Sequence, residues 1–270
     1  MTRLRSELSN ADLELLAELT GTVASDLAGE LSRRPWYAND LLRHDAVVEF
    51  VMESEGIDQL RVSPQLFFAV LVNRAANDLA SSDFVDDWVG SGCRLPVFDV
   101  EPLQEFTDAP GRLTFTTSLL TNFTMPTCTP VPADPYDLID MAAWLDALGP
   151  NERPTLIRQL GDVALFRAGV FPDNTGSSEL DDDEVEQLGL SAGMSDDEID
   201  TLADPGSATR SIDMLEQLGA AWYRKAADES PTTPTVLRDV AHRIRSARRF
   251  LNYLSDRYLY RLQATWNPLG

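Results

Sequence analysis

"RSARRFLNYLSDRYLYR", residues 245–261, belongs to a run from residue 233 to 266 in which apolar side chains recur every three or four positions. This spacing lies along one face of an α-helix, and it predicts a long helix that packs along another helix. Arginines surround the first half of the run, whereas the second half is apolar nearly all round. We therefore expect the basic half at the surface and the second half in the core. The apolar seam comprises Leu237, Val240, Ile244, Ala247, Leu251, Leu254 and Tyr258.

Most of the remaining chain shows the same helical periodicity. Ser9 or Asn10 is placed to cap a first helix, and Ser63 followed by Pro64 is a typical helix start. The pattern predicts an all-α fold, an irregular multi-helix bundle. We predict helices over residues 10–31, 39–56, 64–80, 134–149, 152–169 and 208–228.

Residues 90–135 interrupt this pattern because they are rich in proline, glycine and threonine. Such a composition favours extended chain and turns, so we expect an irregular insert or a short β hairpin. The chain would then form a single, mainly helical domain over residues 1–270. Within it, the N-terminal helices occupy 1–89, the insert 90–135 and the C-terminal helices 136–270.

The most acidic part of the chain is the loop 173–209, which has twelve acidic residues and no arginine, lysine or histidine. Val185, Leu188, Ile199 and Leu202 could let two short helices dock, the second with Ser195 as its cap and Glu198 completing a capping box. We expect residues 173–183 to be disordered or loosely docked.

The net charge of the chain indicates the environment in which the protein works. The chain carries 44 acidic and 22 basic residues, a formal net charge of −22, and its only lysine is Lys225. Codon usage can replace lysine by arginine but does not explain the acid excess, so we favour a halophilic prokaryote as the source. Phosphate binding needs clustered positive charge, and the net charge of this chain has the opposite sign, which argues against a nucleic-acid partner. The sequence shows neither a membrane-spanning run nor a signal-peptide block, so we expect a cytoplasmic protein.

No motif in the sequence specifies a reaction, a cofactor or a metal. His44 and His242 lie far apart and in no metal-binding spacing, and the acidic runs do not follow the EF-hand pattern. Cys93 and Cys128 lack the paired spacing of a zinc site and are too few for a disulfide framework, so we expect reduced thiols. We predict no catalytic, cofactor-binding or metal-binding residue.

Three blocks of the C-terminal part resemble a group of helical prokaryotic proteins that share them in this order and have no assigned activity. The blocks are "LGDVALFRAGVFPD" at 160–173, "LEQLGAAWYRKAAD" at 215–228 and "RRFLNYLSDRYLYR" at 248–261. The resemblance begins at Leu160 and implies an all-helical fold, but it implies no site residue.

The arginines of the last helix have three possible roles. They pair with acids of the chain itself, most simply those of 173–204, or they dock an acidic partner protein or phosphate-bearing ligand, or they contact a nucleic-acid backbone. We favour internal pairing. Arg245, Arg248 and Arg249 are the candidate partner-binding residues, with Arg248 directed inward and Arg249 free for a partner.

The sequence favours a non-catalytic interaction or regulatory protein and leaves its partner and oligomeric state open. The alternative is a small-ligand-binding protein or an enzyme with a pocket between the C-terminal helices. An exposed apolar patch beside charge would favour the first function, and a closed apolar cavity with convergent polar groups would favour the second. Candidate residues for that pocket are Tyr223, Arg224, Tyr253 and Arg257.

If the acid excess is a halophilic adaptation, salt should stabilise the protein because it screens repulsion between carboxylates. We expect the melting temperature to rise as KCl increases from about 0.1 M toward about 1 M, where the Debye length falls to roughly 3 Å. Scanning calorimetry across this range tests the expectation, and a flat or falling melting temperature would remove the halophilic interpretation.

Overall fold

The computed structural model describes residues 8–34, 37–53, 61–90, 92–124, 137–175, 180–202, 210–230 and 235–260. Within these ranges the fold is all-α with one short two-stranded sheet, which confirms the predicted fold class. The chain divides into two compact units. The first comprises Met1–Asp83, Gln104–Met125 and Asp256–Gly270, and the second comprises Phe84–Leu103 and Pro126–Ser255. That residues 1–270 make a single domain stays a prediction.

The first unit is built from short helices around one leucine-rich core. Three of the predicted helices lie here, but two of them are each divided in two. Its helices are α1 (Asn10–Thr20), α2 (Ala24–Arg33), α3 (Tyr37–Leu42), α4 (Asp45–Glu53), α5 (Pro64–Leu79) and α7 (Pro110–Asn122). The chain passes from the second unit back into the first within α6 (Glu101–Thr107).

A buried carboxylate joins the starts of α1 and α5. Ser9 caps α1 and Ser63 caps α5, as predicted. Asp12 is 1% exposed, and its Oδ2 accepts hydrogen bonds from the Ser9 amide at 2.8 Å and from the Ser63 hydroxyl at 2.9 Å. A buried carboxylate is tolerated because these donors satisfy it. The two helix starts are thereby held together.

The prediction of one helix over residues 10–31 is wrong because Gly21 adopts a left-handed conformation with φ +66° and ends α1. The predicted helix 39–56 is likewise two helices, α3 and α4. An extended conformation for residues 110–122 is also wrong. These residues form α7, in which Thr114, Thr117 and other threonines donate to carbonyls four residues earlier. Such bonds, with burial of one face, outweigh the weak helix propensity of threonine.

The second unit packs helices around a long central helix. Its elements are β1 (Val85–Gly90), β2 (Cys93–Val97), α8 (Leu138–Ala143), a 3₁₀ turn (Leu145–Ala147), α9 (Arg153–Val170), α10 (Pro172–Thr175), α11 (Asp182–Ala192), α12 (Asp196–Leu202), α13 (Arg210–Glu229), α14 (Thr235–His242) and α15 (Ile244–Leu254). The predicted docking of two short acidic helices is confirmed, since Val185, Leu188, Ile199 and Leu202 of α11 and α12 are buried.

The run that opens at residue 233 is not one continuous helix. It breaks after His242, where the Arg243 amide bonds the carbonyls of both Asp239 and Val240, and a π turn at Ser255–Leu259 follows α15. Its apolar seam nevertheless lies in the interior as predicted, with Val240 and Leu254 at 0% exposure.

Glycines let α9 approach its neighbours closely. A Cβ atom on Gly169 would lie 2.6 Å from Cβ of Leu251 in α15, and one on Gly161 would lie 2.9 Å from the Tyr223 ring in α13. The central helix can pack against α13 and α15 at this distance only because those side chains are absent.

A buried carboxyl group sits where α9 meets α13. Asp162 accepts a 2.8 Å hydrogen bond from the hydroxyl of the fully buried Tyr223, and its second oxygen lies 3.7 Å from Arg158 Nε. Burial raises the pKa of Asp162 to about 6, although Arg158 and the Tyr223 hydrogen bond oppose the shift. Burial also raises the pKa of Tyr223 well above its ordinary value.

Because the pKa of Asp162 is higher in the folded than in the unfolded chain, the folded state binds the extra proton between pH 4 and 6. Stability should therefore fall as pH rises through this window, by on the order of 3 kcal/mol. In Asp162→Asn this contribution is absent. We expect the free energy of unfolding of the native protein, minus that of the variant, to decrease between pH 4 and 7 in urea titrations. A constant difference would contradict the shifted pKa.

Candidate functional site

Arg248 is the centre of a buried polar cluster in the second unit. Its side chain is 5% exposed, and its Nε donates to Glu216 Oε1 of α13 at 2.5 Å. Its Nη1 donates to Asp87 Oδ1 of β1 at 3.0 Å and to Asn252 Oδ1 at 2.7 Å. The predicted pairing of Arg248 with acids of the same chain is confirmed, but the acids belong to β1 and α13 and not to residues 173–204.

Arg249 lies in the same cluster, so the prediction that it is free for a partner is wrong. Its side chain is 9% exposed, and its Nε is 2.8 Å from Asp87 Oδ2. Its Nη1 donates to the carbonyl of Asp99 at 3.3 Å. Two guanidinium groups thus face the carboxylates of Asp87 and Glu216, and their charges balance. The face of α15 that appears polar in the sequence is buried because the hairpin covers it.

The guanidinium of Arg249 makes fewer hydrogen bonds than that of Arg248. The Nε–Asp87 distance is that of an ion pair, but its alignment does not make a hydrogen bond, and the buried Nη2 has no hydrogen-bond partner among the described residues. We regard the charge pairing as the dominant interaction because it depends on distance more than on angle.

Two further contacts complete the cluster. Asn252 donates from Nδ2 to the Gly169 carbonyl at 2.5 Å, which ties the cluster to the end of α9. Burial raises the pKa of Glu216, and the neighbouring Arg248 partly offsets this effect. The cluster therefore connects β1, α9, α13 and α15.

Asp173 holds the tip of the hairpin. Its Oδ1 accepts from Trp88 Nε1 at 2.7 Å and from the Gly92 amide at 2.8 Å, and its Oδ2 accepts from both terminal nitrogens of Arg94 at 3.2 Å. Burial alone would raise the pKa of Asp173, but these hydrogen bonds and the charge of Arg94 together lower it. Asp173 is thus firmly held, which contradicts the loose docking expected for residues 173–183 at this first position; residues 176–179 lie outside the described residues.

The hairpin also carries exposed apolar side chains. Phe84 is 51% exposed, Leu95 52% and Phe98 72%, and we call these three residues the hairpin surface. Val85 pairs with Val97 across the antiparallel sheet, so Phe84 and Phe98 flank the open end of the hairpin, with their ring centroids 5.9 Å apart. The neighbouring residues Asp86 and Asp99 are exposed.

A groove of about 420 Å³ lies between α12, α13 and the break between α14 and α15. Apolar side chains form part of its lining, and the carboxylates of Asp197, Glu198 and Glu216 and the guanidinium of Arg224 provide charge. We call it the acidic groove. Its apolar lining residues are Met194, Ala220, Ala241 and Ile244.

The residues that the sequence predicted for a partner site or a pocket do not lie together. Arg245 is exposed, as a partner-binding residue must be, whereas Arg248 and Arg249 are buried. Of the pocket candidates, Tyr223 lies in the core against Asp162, and Arg224 lines the acidic groove. Tyr253 is half-buried, and Arg257 pairs with Asp78 at 3.5 Å within the first unit. Because Tyr223 is fully buried and Arg224 is exposed, they do not line one cavity.

Other sequence candidates show no shared site. His44 and His242 are exposed, as is Cys93, while Cys128 lies outside the described residues. Within the described ranges, no group of three or more histidine, cysteine or acidic side chains could hold a metal ion. No described helix combines the length and apolarity that a membrane span requires.

Sequence reasoning did not identify Asp87, Asp173 or the hairpin surface. A signal was present in "DFVDDWVGSGCRLPVFD" at 83–99, where two short apolar runs flank a Gly-Ser-Gly turn. These residues predict the hairpin, but the adjacent Asp86 and Asp87 do not show which carboxylate enters the interior. Comparisons with protein-family models, curated proteins and solved structures found no match. The resemblance of the C-terminal blocks to helical prokaryotic proteins therefore stays a prediction.

Removing the guanidinium of Arg248 should cost far more than removing that of Arg245, three residues earlier on the same helix. Arg248→Met leaves Glu216 and Asp87 partly uncompensated in the interior, and we expect a loss of about 3 to 5 kcal/mol in the free energy of unfolding. Arg245→Met should change it by less than about 0.5 kcal/mol because this side chain is exposed. Urea unfolding of both variants measures the difference.

The double variant Arg248→Met/Glu216→Gln separates electrostatics from lost packing. It should recover part of the stability, because it removes one of the two carboxylates left without its partner. If Arg248→Met and Arg245→Met lower the free energy of unfolding equally, the cluster does not stabilise the unit.

Proposed function

We propose that this chain is a non-catalytic interaction protein that binds a partner protein through the hairpin surface. The observation that carries this proposal is the exposed Phe84–Phe98 pair on a hairpin that is held within β1 through Asp87 and at its tip by Asp173. Exposed aromatic side chains often mark interaction sites. A surface that is already rigid loses little conformational entropy on binding.

The chemistry of the surroundings favours a basic partner. The exposed Asp86 and Asp99 lie next to the apolar side chains, and the whole chain carries a net charge of −22. We therefore expect the partner to offer an apolar contact bordered by lysine or arginine, and its association to be accelerated by electrostatic attraction. A second copy of the chain would bring like charges together. The acidic partner that the sequence allowed would need exposed arginines, but two of the three candidates, Arg248 and Arg249, are buried.

A regulatory role, a cytoplasmic location and a halophilic source belong to this proposal as expectations, supported by the acidic composition and the exposed apolar side chains. The alternative function is a small-ligand-binding protein or an enzyme, and the acidic groove is the feature that favours it. We prefer the interaction protein because the groove is open to solvent and its charges, three carboxylates and one guanidinium, are those of a surface that meets another charged surface.

The test compares substitutions on the hairpin surface with one on another exposed apolar residue of the same unit. A photo-crosslinking amino acid at position 98, and separately at the 54% exposed Leu190, is introduced into the full chain in host cells at their own salt. A partner crosslinked from position 98 and not from 190 is identified, purified and titrated against the native protein.

Phe84→Ser/Phe98→Ser should weaken this binding by at least tenfold with an unchanged unfolding transition, because each exposed aromatic at such a contact is worth about 1 to 2 kcal/mol. Leu190→Ser should leave it unchanged. Equal affinity of the double variant and the native protein would overturn the proposal.

A further inference from the structure

The acidic groove has an apolar floor between charged walls. Ala220 of α13 and Ala241 of α14 are small and nearly buried, so the space above them is available to side chains from outside. Asp197 and Glu198 line the groove from α12, and Glu216 lines it from α13. Side chains of four helices, α12, α13, α14 and α15, therefore line the groove, and each of these helices has buried residues in the second unit. Pre-formed grooves of this kind bind one face of an amphipathic helix in many complexes.

The charges of the groove are only partly balanced. One carboxylate oxygen of Glu216 accepts a hydrogen bond from Arg248. Glu198 accepts hydrogen bonds from the amide and the hydroxyl of Ser195, and the charge of Arg224 lies nearby. The hydrogen bonds from Ser195, and to a smaller extent the charge of Arg224, lower the pKa of Glu198 and keep it ionised. Asp197 is exposed at the rim. Because Arg248 balances Glu216, the remaining charges are two carboxylates and one guanidinium, and the groove is net negative.

This charge decides between possible occupants. A purely apolar segment would remove the carboxylates from water without replacing their hydrogen bonds, which is costly. An acidic segment would add repulsion. A segment that places small apolar side chains on the floor and a lysine or arginine against Asp197 and Glu198 satisfies both features.

We propose that the acidic groove docks a basic amphipathic helix of a partner protein. The helix contributes apolar side chains at positions i and i+3 or i+4 toward Ala220, Ala241 and Ile244, and a basic side chain toward Asp197 and Glu198. Glu216 contributes little to the attraction, because Arg248 holds its Oε1 and balances its charge. The groove is a second surface, and this inference does not depend on the hairpin surface.

The experiment selects ligands without assuming their sequence. A library of random 16-residue peptides displayed on phage is selected against the full chain at about 0.15 M salt, where long-range attraction is largely screened. The peptides retained are those that do not bind Thr201→Trp, in which an indole from the exposed wall fills the groove. We expect these peptides to be basic, with apolar residues at helical spacing.

Matched charge variants then separate local pairing from general attraction. Asp197→Lys and Asp200→Lys change the net charge equally and lie on the same exposed helix, but only Asp197 lines the groove. Asp197→Lys should weaken binding of a synthesised peptide at least tenfold in fluorescence anisotropy, and Asp200→Lys less than threefold. Phe84→Ser/Phe98→Ser should not change it, which distinguishes this inference from the proposed function.

Three results would overturn the proposal. The first is that no selected peptide depends on an open groove. The second is that the two lysine variants weaken binding equally, which would make the attraction non-specific. The third is that agmatine displaces the peptide with an affinity equal to that of the peptide itself, which would make the groove a site for small organic cations.

Discussion

The pairing of Arg248 with Asp87 and Glu216 is the interaction on which the second unit depends. It joins β1, α13 and α15, and Asp87 lies more than a hundred positions before Glu216 in the chain. Buried ion pairs give little net stability, since desolvation offsets most of the attraction. Their effect is to penalise every arrangement in which one charge loses its partner. A hairpin of two strands is only marginally stable alone, so this penalty determines where it lies.

The same constraint explains why an acidic protein keeps arginines in its interior. Arginine forms several hydrogen bonds in a fixed plane and stays ionised when buried, so one Arg248 can serve Asp87, Glu216 and Asn252 together. The only lysine has a simpler role. Lys225 Nζ donates to the Ser191 carbonyl at 2.5 Å, and burial lowers its pKa. Asp87 and Glu216 are thus matched by arginine, while acids such as Asp86 and Asp197 are exposed and set the sign of the surface.

The sequence predicted the elements whose signals are local. Ser9 and Ser63 start helices where expected, and the Leu237 to Tyr258 seam lies in the interior, because caps and periodicity act within a few residues. Prediction from the sequence failed where a segment far away in the chain determines which residues are buried. The periodicity of α15 shows which face is apolar, but it cannot show that a hairpin some 150 residues earlier covers the other face and buries Arg249. Likewise, the threonines of α7 favour extended chain until a core is available to bury them.

Glu216 connects the two surfaces that this fold presents. One oxygen of its carboxylate is held by Arg248, which also holds Asp87 and thereby the hairpin, while the side chain lines the acidic groove. An occupant that took Glu216 away from Arg248 would leave Arg248 without one of its two carboxylate partners in the interior. A basic side chain therefore gains most at Asp197 and Glu198, which are exposed residues of α12 and have no role in the buried cluster. The position of the charge in a docked helix is set by the same ion pair that fixes the hairpin.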